Sequence, residues 1–126
     1  MPREGYPAAT VEEYLAAVPA DKGSALRVVR DRLVDAVPDA GQVISYQVPT
    51  ITYRGVGLVA LSVATSHCSL HLMSPPLARS LGGSLPEGRM SGATLQFPAD
   101  APLSEETVRR IASLRMAEVD ARLDAR

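Results

Sequence analysis

The sequence predicts an α+β fold: an antiparallel sheet of about five strands, with N-terminal and C-terminal helices packed largely on one face. Three observations carry this. Apolar residues repeat at helical spacing near both ends of the chain, and with period two through the middle. The strand-like runs follow one another from Val43 to Met73 with only turn signals between them, which makes an antiparallel meander. A chain of 126 residues reads as one domain, 1–126, large enough to bury a core without disulfide or metal.

The elements follow in order. Thr10 and Glu13 fit a capping box, in which the hydroxyl accepts from a first-turn N–H and the carboxylate returns to the cap residue's own N–H. Val11, Tyr14, Leu15 and Val18 continue at helical spacing until Pro19 stops the helix. A second helix is expected from about Asp21 to Val37, with Leu26, Val29, Leu33 and Val37 as its apolar stripe and Pro38-Asp39-Ala40-Gly41 as its end.

Val43 to Val48 then alternates, with Ile44, Tyr46 and Val48 on one face, and Pro49 breaks the run. Thr50–Tyr53 is a second strand and Arg54-Gly55-Val56-Gly57 a turn. Leu58–Ala64 is apolar on both faces and therefore central, and His67–Met73 is the fourth strand. Pro75–Leu81 suits a short helix closed by Gly82-Gly83, Pro86-Glu87-Gly88 is loop, and Thr94–Phe97 is a fifth strand. Ser104 caps a long last helix, with Glu105 and Glu106 against its positive end and Val108, Ile111, Ala112, Met116, Val119 and Leu123 as its stripe. The expected core is Leu26, Val29, Leu33, Ile44, Tyr46, Val59, Leu61, Leu70, Phe97, Val108, Ile111 and Met116.

Composition removes several function classes. One cysteine, Cys68, allows neither an intrachain disulfide nor a Cys-rich zinc site. A net charge of −1 argues against a nucleic-acid or anionic-membrane surface. Met1 to Gly5 has no apolar leader character and no stretch reaches a membrane span, so a cytoplasmic protein is expected. Charge is also unevenly placed: between Gly41 and Met73 the only charged residue is Arg54.

Several strings resemble the YdhG-like family, also called domain of unknown function 1801. They are Thr10-Val11-Glu12-Glu13-Tyr14-Leu15, then Val43-Ile44-Ser45-Tyr46-Gln47-Val48-Pro49 followed by Tyr53 and Gly57. Ser66-His67-Cys68, Thr94-Leu95-Gln96-Phe97-Pro98 and the last helix through Arg115 complete the set, which runs from about residue 10 to 123. The sequence departs from the family pattern at Gln47-Val48, where Gly-Met is usual, and at Gly92 and Gln96, where the pattern is basic. Some members carry the label "iron chaperone" or "frataxin-like", so the resemblance implies a non-catalytic carrier with iron as its cargo.

The residues themselves offer few sites. His67 and His71 on one strand would face the same way but stand about 13 Å apart at ~3.3 Å per residue, too far for one ion. Cys68 points the other way, as a small buried hydrophobe. Asp31 and Asp35, with Asp39, form an acidic row whose oxygens suit a hard cation such as iron, although Arg27 and Arg32 stand at ion-pairing distance along the helix. No G-x-S-x-G elbow is present, and no acid neighbours the histidines to orient an imidazole. Arg115 either lies along the core edge or reaches into a cleft between helix and sheet as an anion contact.

The remaining feature is the neutral sheet. Ser45, Gln47, Thr50, Thr52, Ser69 and His71 are polar without charge, beside Tyr46 and Tyr53. Such a face suits a protein partner, a second copy of the chain or an uncharged ligand, or else it lies under the Ser74–Gly92 segment. Three functions follow. The first is a small intracellular non-catalytic binding or carrier domain. The second is a ligand pocket with catalytic ability built from Tyr46, Tyr53, His67 and Arg115. The third is a homodimeric module using the uncharged sheet.

Overall fold

The computed structural model describes residues 6–125. The reading of Met1 to Gly5 as lacking a leader falls outside them. Helices α1 (Val11–Ala17) and α2 (Ala20–Ala36) precede β1 (Gly41–Ser45), β2 (Val48–Tyr53), β3 (Val56–Val63) and β4 (Cys68–His71). Then come α3 (Pro75–Leu81), β5 (Arg89–Ser91), β6 (Thr94–Phe97) and α4 (Glu105–Asp124). The strands form one antiparallel sheet in the order β1-β2-β3-β4-β6-β5. The antiparallel α+β architecture is as expected, with six strands in place of five.

Helix ends follow local chemistry. Thr10 Oγ1 accepts from the Glu13 N–H at 3.1 Å, but the Glu13 carboxylate returns to the N–H of Ala9 (2.9 Å) rather than to that of Thr10. Pro19 ends one helix and caps the next, since its fixed φ suits a helix start and its missing N–H is not needed there. Ser74 and Ser104 accept from the N–H of the third residue of α3 and α4, Leu77 and Thr107. Gly23 lets α1 and α2 pack closely: a Cβ there would lie 2.7 Å from the Leu15 carbonyl oxygen.

The first hairpin corrects the expected strand Val43–Val48. Tyr46 and Gln47 are its turn, with φ of 50° and 69°, and Ser45 pairs with Val48. Both central residues are left-handed, as a two-residue turn between twisted strands requires. Tyr46 therefore projects from the tip, 93 % exposed, instead of joining the core. Pro49 does not break a strand but lies within β2, opposite Ile44. A two-residue turn closes on a hydrogen-bonded pair, so the next pair is non-hydrogen-bonded and the missing N–H costs that ladder nothing. The second turn is narrower than expected, Arg54-Gly55 alone, and Gly92-Ala93 joins β5 to β6.

Helices and core share one face of the sheet. Ile51, Val59, Leu61, Cys68, Leu70, Leu95 and Phe97 point into it against Tyr14, Leu26, Val29, Leu33, Val108 and Ile111. Ile44 and Met116 are half-buried at its margin. The segment after Met73 joins this layer rather than crossing the other face. Leu77, Ala78 and Leu81 are in the core, Ser74 Oγ donates to Glu118 of α4 at 3.0 Å, and Glu87 accepts from the Ser104 N–H at 2.9 Å. Burial alone would raise the Glu87 carboxyl, but bonds from Ser104 and Thr107 outweigh it and hold it below its usual value. No helix among the described residues is long and apolar enough to cross a membrane.

Candidate functional site

The outer face of the sheet follows from the register. Val43 stands beside Thr50 and Thr50 beside Ala60, while Ser62 stands beside Ser69 and Ser69 beside Gln96. Side chains alternate along each strand, so this row and its neighbours at Thr52, His71 and Thr94 face away from the helices. Across β1, β2, β3, β4 and β6 no charged side chain occupies that face; the first is Arg89 on β5, which donates to Gln96 at 3.4 Å. Three large hydrophobics are exposed on or beside it: Val43 (45 %), Met73 (42 %) and Tyr46 at the hairpin tip. Met73 lies over Gly57, where a Cβ would meet its terminal methyl at 3.2 Å.

Near the middle of this face His71 is held at both ring nitrogens, by Ser62 Oγ at 2.7 Å and Thr94 Oγ1 at 3.0 Å. Neighbouring strands bring these hydroxyls to the ring, which is why no sequence spacing announced them. Burial pushes the His71 pKa down and favours the neutral ring. The arrangement keeps an imidazole uncharged within an uncharged surface.

The four residues considered for a pocket do not converge. Tyr46 and Tyr53 flank opposite ends of β2, seven residues or roughly 23 Å apart at ~3.3 Å per residue. His67 precedes β4 at the Tyr46 end of the sheet, half-buried. At the other end, the Tyr53 hydroxyl donates to Asp120 Oδ1 at 2.8 Å, and Arg54 reaches the same oxygen at 2.8 Å. Arg54 and Tyr53 together hold the Asp120 carboxyl below its usual value.

Arg115 reaches between the last helix and the sheet, but to main-chain carbonyls and to a carboxylate of its own helix. It is 8 % exposed and turns inward onto β3, where Nε donates to Leu58 O (2.8 Å) and Nη2 to Gly57 O (3.1 Å). Nη1 donates to Glu118, whose other oxygen takes the Ser74 hydroxyl. The β2–β3 register slips between Ile51 and Thr52, leaving Leu58 as an unpaired bulge residue. Arg115 donates to the carbonyls beside that bulge and fastens β3, α3 and α4 together.

Asp31 and Asp35 lie on the exposed side of α2. Asp31 accepts from Arg30 at 2.6 Å and Asp35 from Arg109 at 3.1 Å, so the pairing arginines are not the Arg27 and Arg32 the spacing suggested. Arg27 instead reaches Glu12, and Arg32 donates to the Leu103 carbonyl. Asp39 falls beyond the helix, in the turn. Among the described residues no group of three or more His, Cys, Asp or Glu side chains is placed to hold a metal ion. Cys68 is fully buried and its thiol is pushed up to about 11 by burial, which leaves it unreactive.

This architecture, an open antiparallel sheet with every helix on one face, matches a known fold. The chain is similar to the crystal structure of YdhG, a DUF1801-family protein from Bacillus subtilis, with a TM-score of 0.77 at 13 % identity. The match covers 86 % of this chain and 90 % of that one. No family model matches the sequence, and no curated protein does.

Proposed function

We propose that this chain is a remote member of the DUF1801 family and a non-catalytic binding module that works as a two-fold dimer, outer sheet face against outer sheet face. The observation that carries the reading is the charge-free face with Val43 and Met73 exposed on it and Tyr46 exposed at the hairpin tip beside it. A surface kept only in contact with water ordinarily carries Lys, Glu and Arg. Here charge is crowded onto the helices instead, in pairs such as Arg30–Glu12 and Arg109–Asp35. A face with no charge of either sign can meet its own copy without opposing like charges or burying an unpaired one. The half-buried Thr52 and Gln96 supply hydrogen bonds, and the three hydrophobics supply contact area.

A spin label at Thr52→Cys tests this, because buried Cys68 leaves the introduced thiol as the reactive one. Face-to-face pairing places two labels within dipolar range, and mixing with unlabelled protein should dilute the coupling. Labels that show no intermolecular coupling at concentrations where the protein is otherwise well behaved rule the arrangement out.

A further inference from the structure

A second surface, independent of whether the outer faces pair, lies along β1. β1 is the last strand on its side of the sheet and pairs only with β2. The turn at Tyr46-Gln47 closes on Ser45–Val48, so Val43 and Gly41 share main-chain bonds with β2 while the N–H and C=O groups of Gln42 and Ile44 face outward. Among the described residues nothing bonds to those outward groups. The five residues of β1 contain no lysine, proline or bulge, the usual protections of an edge. The opposite edge, β5, has three residues and carries Arg89.

Two hollows open on this strand. One, of about 300 Å³, is lined by Pro7, Ala8, Ile44 and Gln47 and carries no charge. The other, of about 390 Å³, is lined by Arg30, Asp31, Val34, Asp35 and Gln42. Gln42 and Ile44 both face the helix side: Arg30 Nη1 reaches Gln42 Oε1 at 3.2 Å, and Ile44 packs on the core margin. Residues two apart stand ~6.6 Å apart along a strand, which is also the spacing of alternate side chains in any strand added beside β1.

We propose that β1 receives an extended peptide by strand addition, with an apolar side chain in the hollow at Ile44 and a cationic one in the hollow at Gln42. Main-chain groups of Gln42 and Ile44 supply the pairing, and the two hollows supply the selection. The carboxylates of the second hollow belong to a surface ion-pair cluster in which Arg30 serves Asp31 and Glu12, and Arg109 serves Asp35 and Glu105. Arg27 also serves Glu12, so acid exceeds base by one and a Lys or Arg is favoured. An antiparallel peptide then reads apolar-x-basic from its N-terminus. A second copy of β1 fits poorly, because a two-fold about Val43 would set Ile44 against the acidic hollow and bring no cation.

The probe is the synthetic peptide Thr-Thr-Leu-Thr-Lys-Thr-Thr with blocked ends, added to isotope-labelled protein. The amide resonances of Gln42 and Ile44 should shift. Peptides carrying Asp for Leu, or Glu for Lys, should bind at least tenfold more weakly. Gln42→Pro removes an outward N–H without touching the β1–β2 ladder and should lower affinity at least tenfold. So should Ala8→Trp, which fills the apolar hollow and keeps the test open if Gln42→Pro does not fold. Unmoved resonances at Gln42 and Ile44, or binding that survives Ala8→Trp, overturn the proposal. Shifts at these residues that follow protein concentration without peptide would assign the edge to a second copy and overturn it equally.

Discussion

Arg115 Nε donates to the carbonyl oxygen of Leu58 at 2.8 Å, tying the last helix to the strand residue left unpaired by the β2–β3 slip. Removing the guanidinium strands two carbonyls and frees Glu118 of its partner. Arg115→Met should therefore destabilise the fold by about 3 kcal/mol, read as a lower denaturant midpoint at unchanged slope. Arg115→Lys should recover little of this, since one ammonium does not span the positions a guanidinium fork reaches. A loss within ~0.5 kcal/mol for Arg115→Met would mean that water replaces those bonds freely.

His71 makes stability depend on pH. Its folded pKa lies below the ordinary 6.5 because the ring is buried, so the unfolded chain takes up the proton more readily. The contribution is fully present above pH 6.5 and is lost as pH falls through the folded value. Melting temperature should therefore decline as pH falls from 6.5 toward the folded value. His71→Gln should flatten this part of the profile. Parallel profiles for the two proteins would show that His71 does not govern it.

Gln47 holds φ at 69° in a turn where a glycine would be unstrained. Gln47→Gly should stabilise the protein by about 0.5–1 kcal/mol, after allowing for the greater freedom of glycine in the unfolded chain. Thermal melts decide this, and a lower melting temperature would show that the Gln47 side chain holds something the turn needs.

Asp31 and Asp35 are each paired to an arginine, and among the described residues no third acidic, His or Cys side chain joins them, so they do not form the chelating set an iron ion needs. Ferrous iron titrated calorimetrically under anaerobic conditions should give the same heats with the native protein and with Asp31→Ala/Asp35→Ala. A saturable heat present in the first and absent in the second would restore the iron-carrier role that the family label suggests.

Much of this fold was legible because period and punctuation agree. The stripe of α2, the caps at Thr10 and Ser104, and the doubly apolar β3 each depend on nearby residues alone. Tyr46 misled because Ile44, Tyr46 and Val48 alternate as a strand does, and neither Tyr nor Gln signals a turn. Strand β5 was missed because Arg89-Met90-Ser91 has no β-forming pattern of its own and is held by its pairing with β6. The partners of His71 and Arg115 come from other strands and from main-chain carbonyls, so no local spacing encodes them. The neutrality of the middle segment was visible at once. That the segment after Met73 packs with the helices depends on tertiary contacts through Leu77, Leu81 and Glu87.

Light scattering across a hundredfold dilution measures the central claim directly. The protein should weigh twice its 13.4 kDa chain at the high end and shift toward the single chain on dilution. Val43→Lys, which places a cation on the exposed outer face without disturbing the core, should shift that equilibrium toward the single chain at every concentration. A mass that stays at 13.4 kDa throughout, or a dimer indifferent to Val43→Lys, would contradict pairing through the outer face of the sheet.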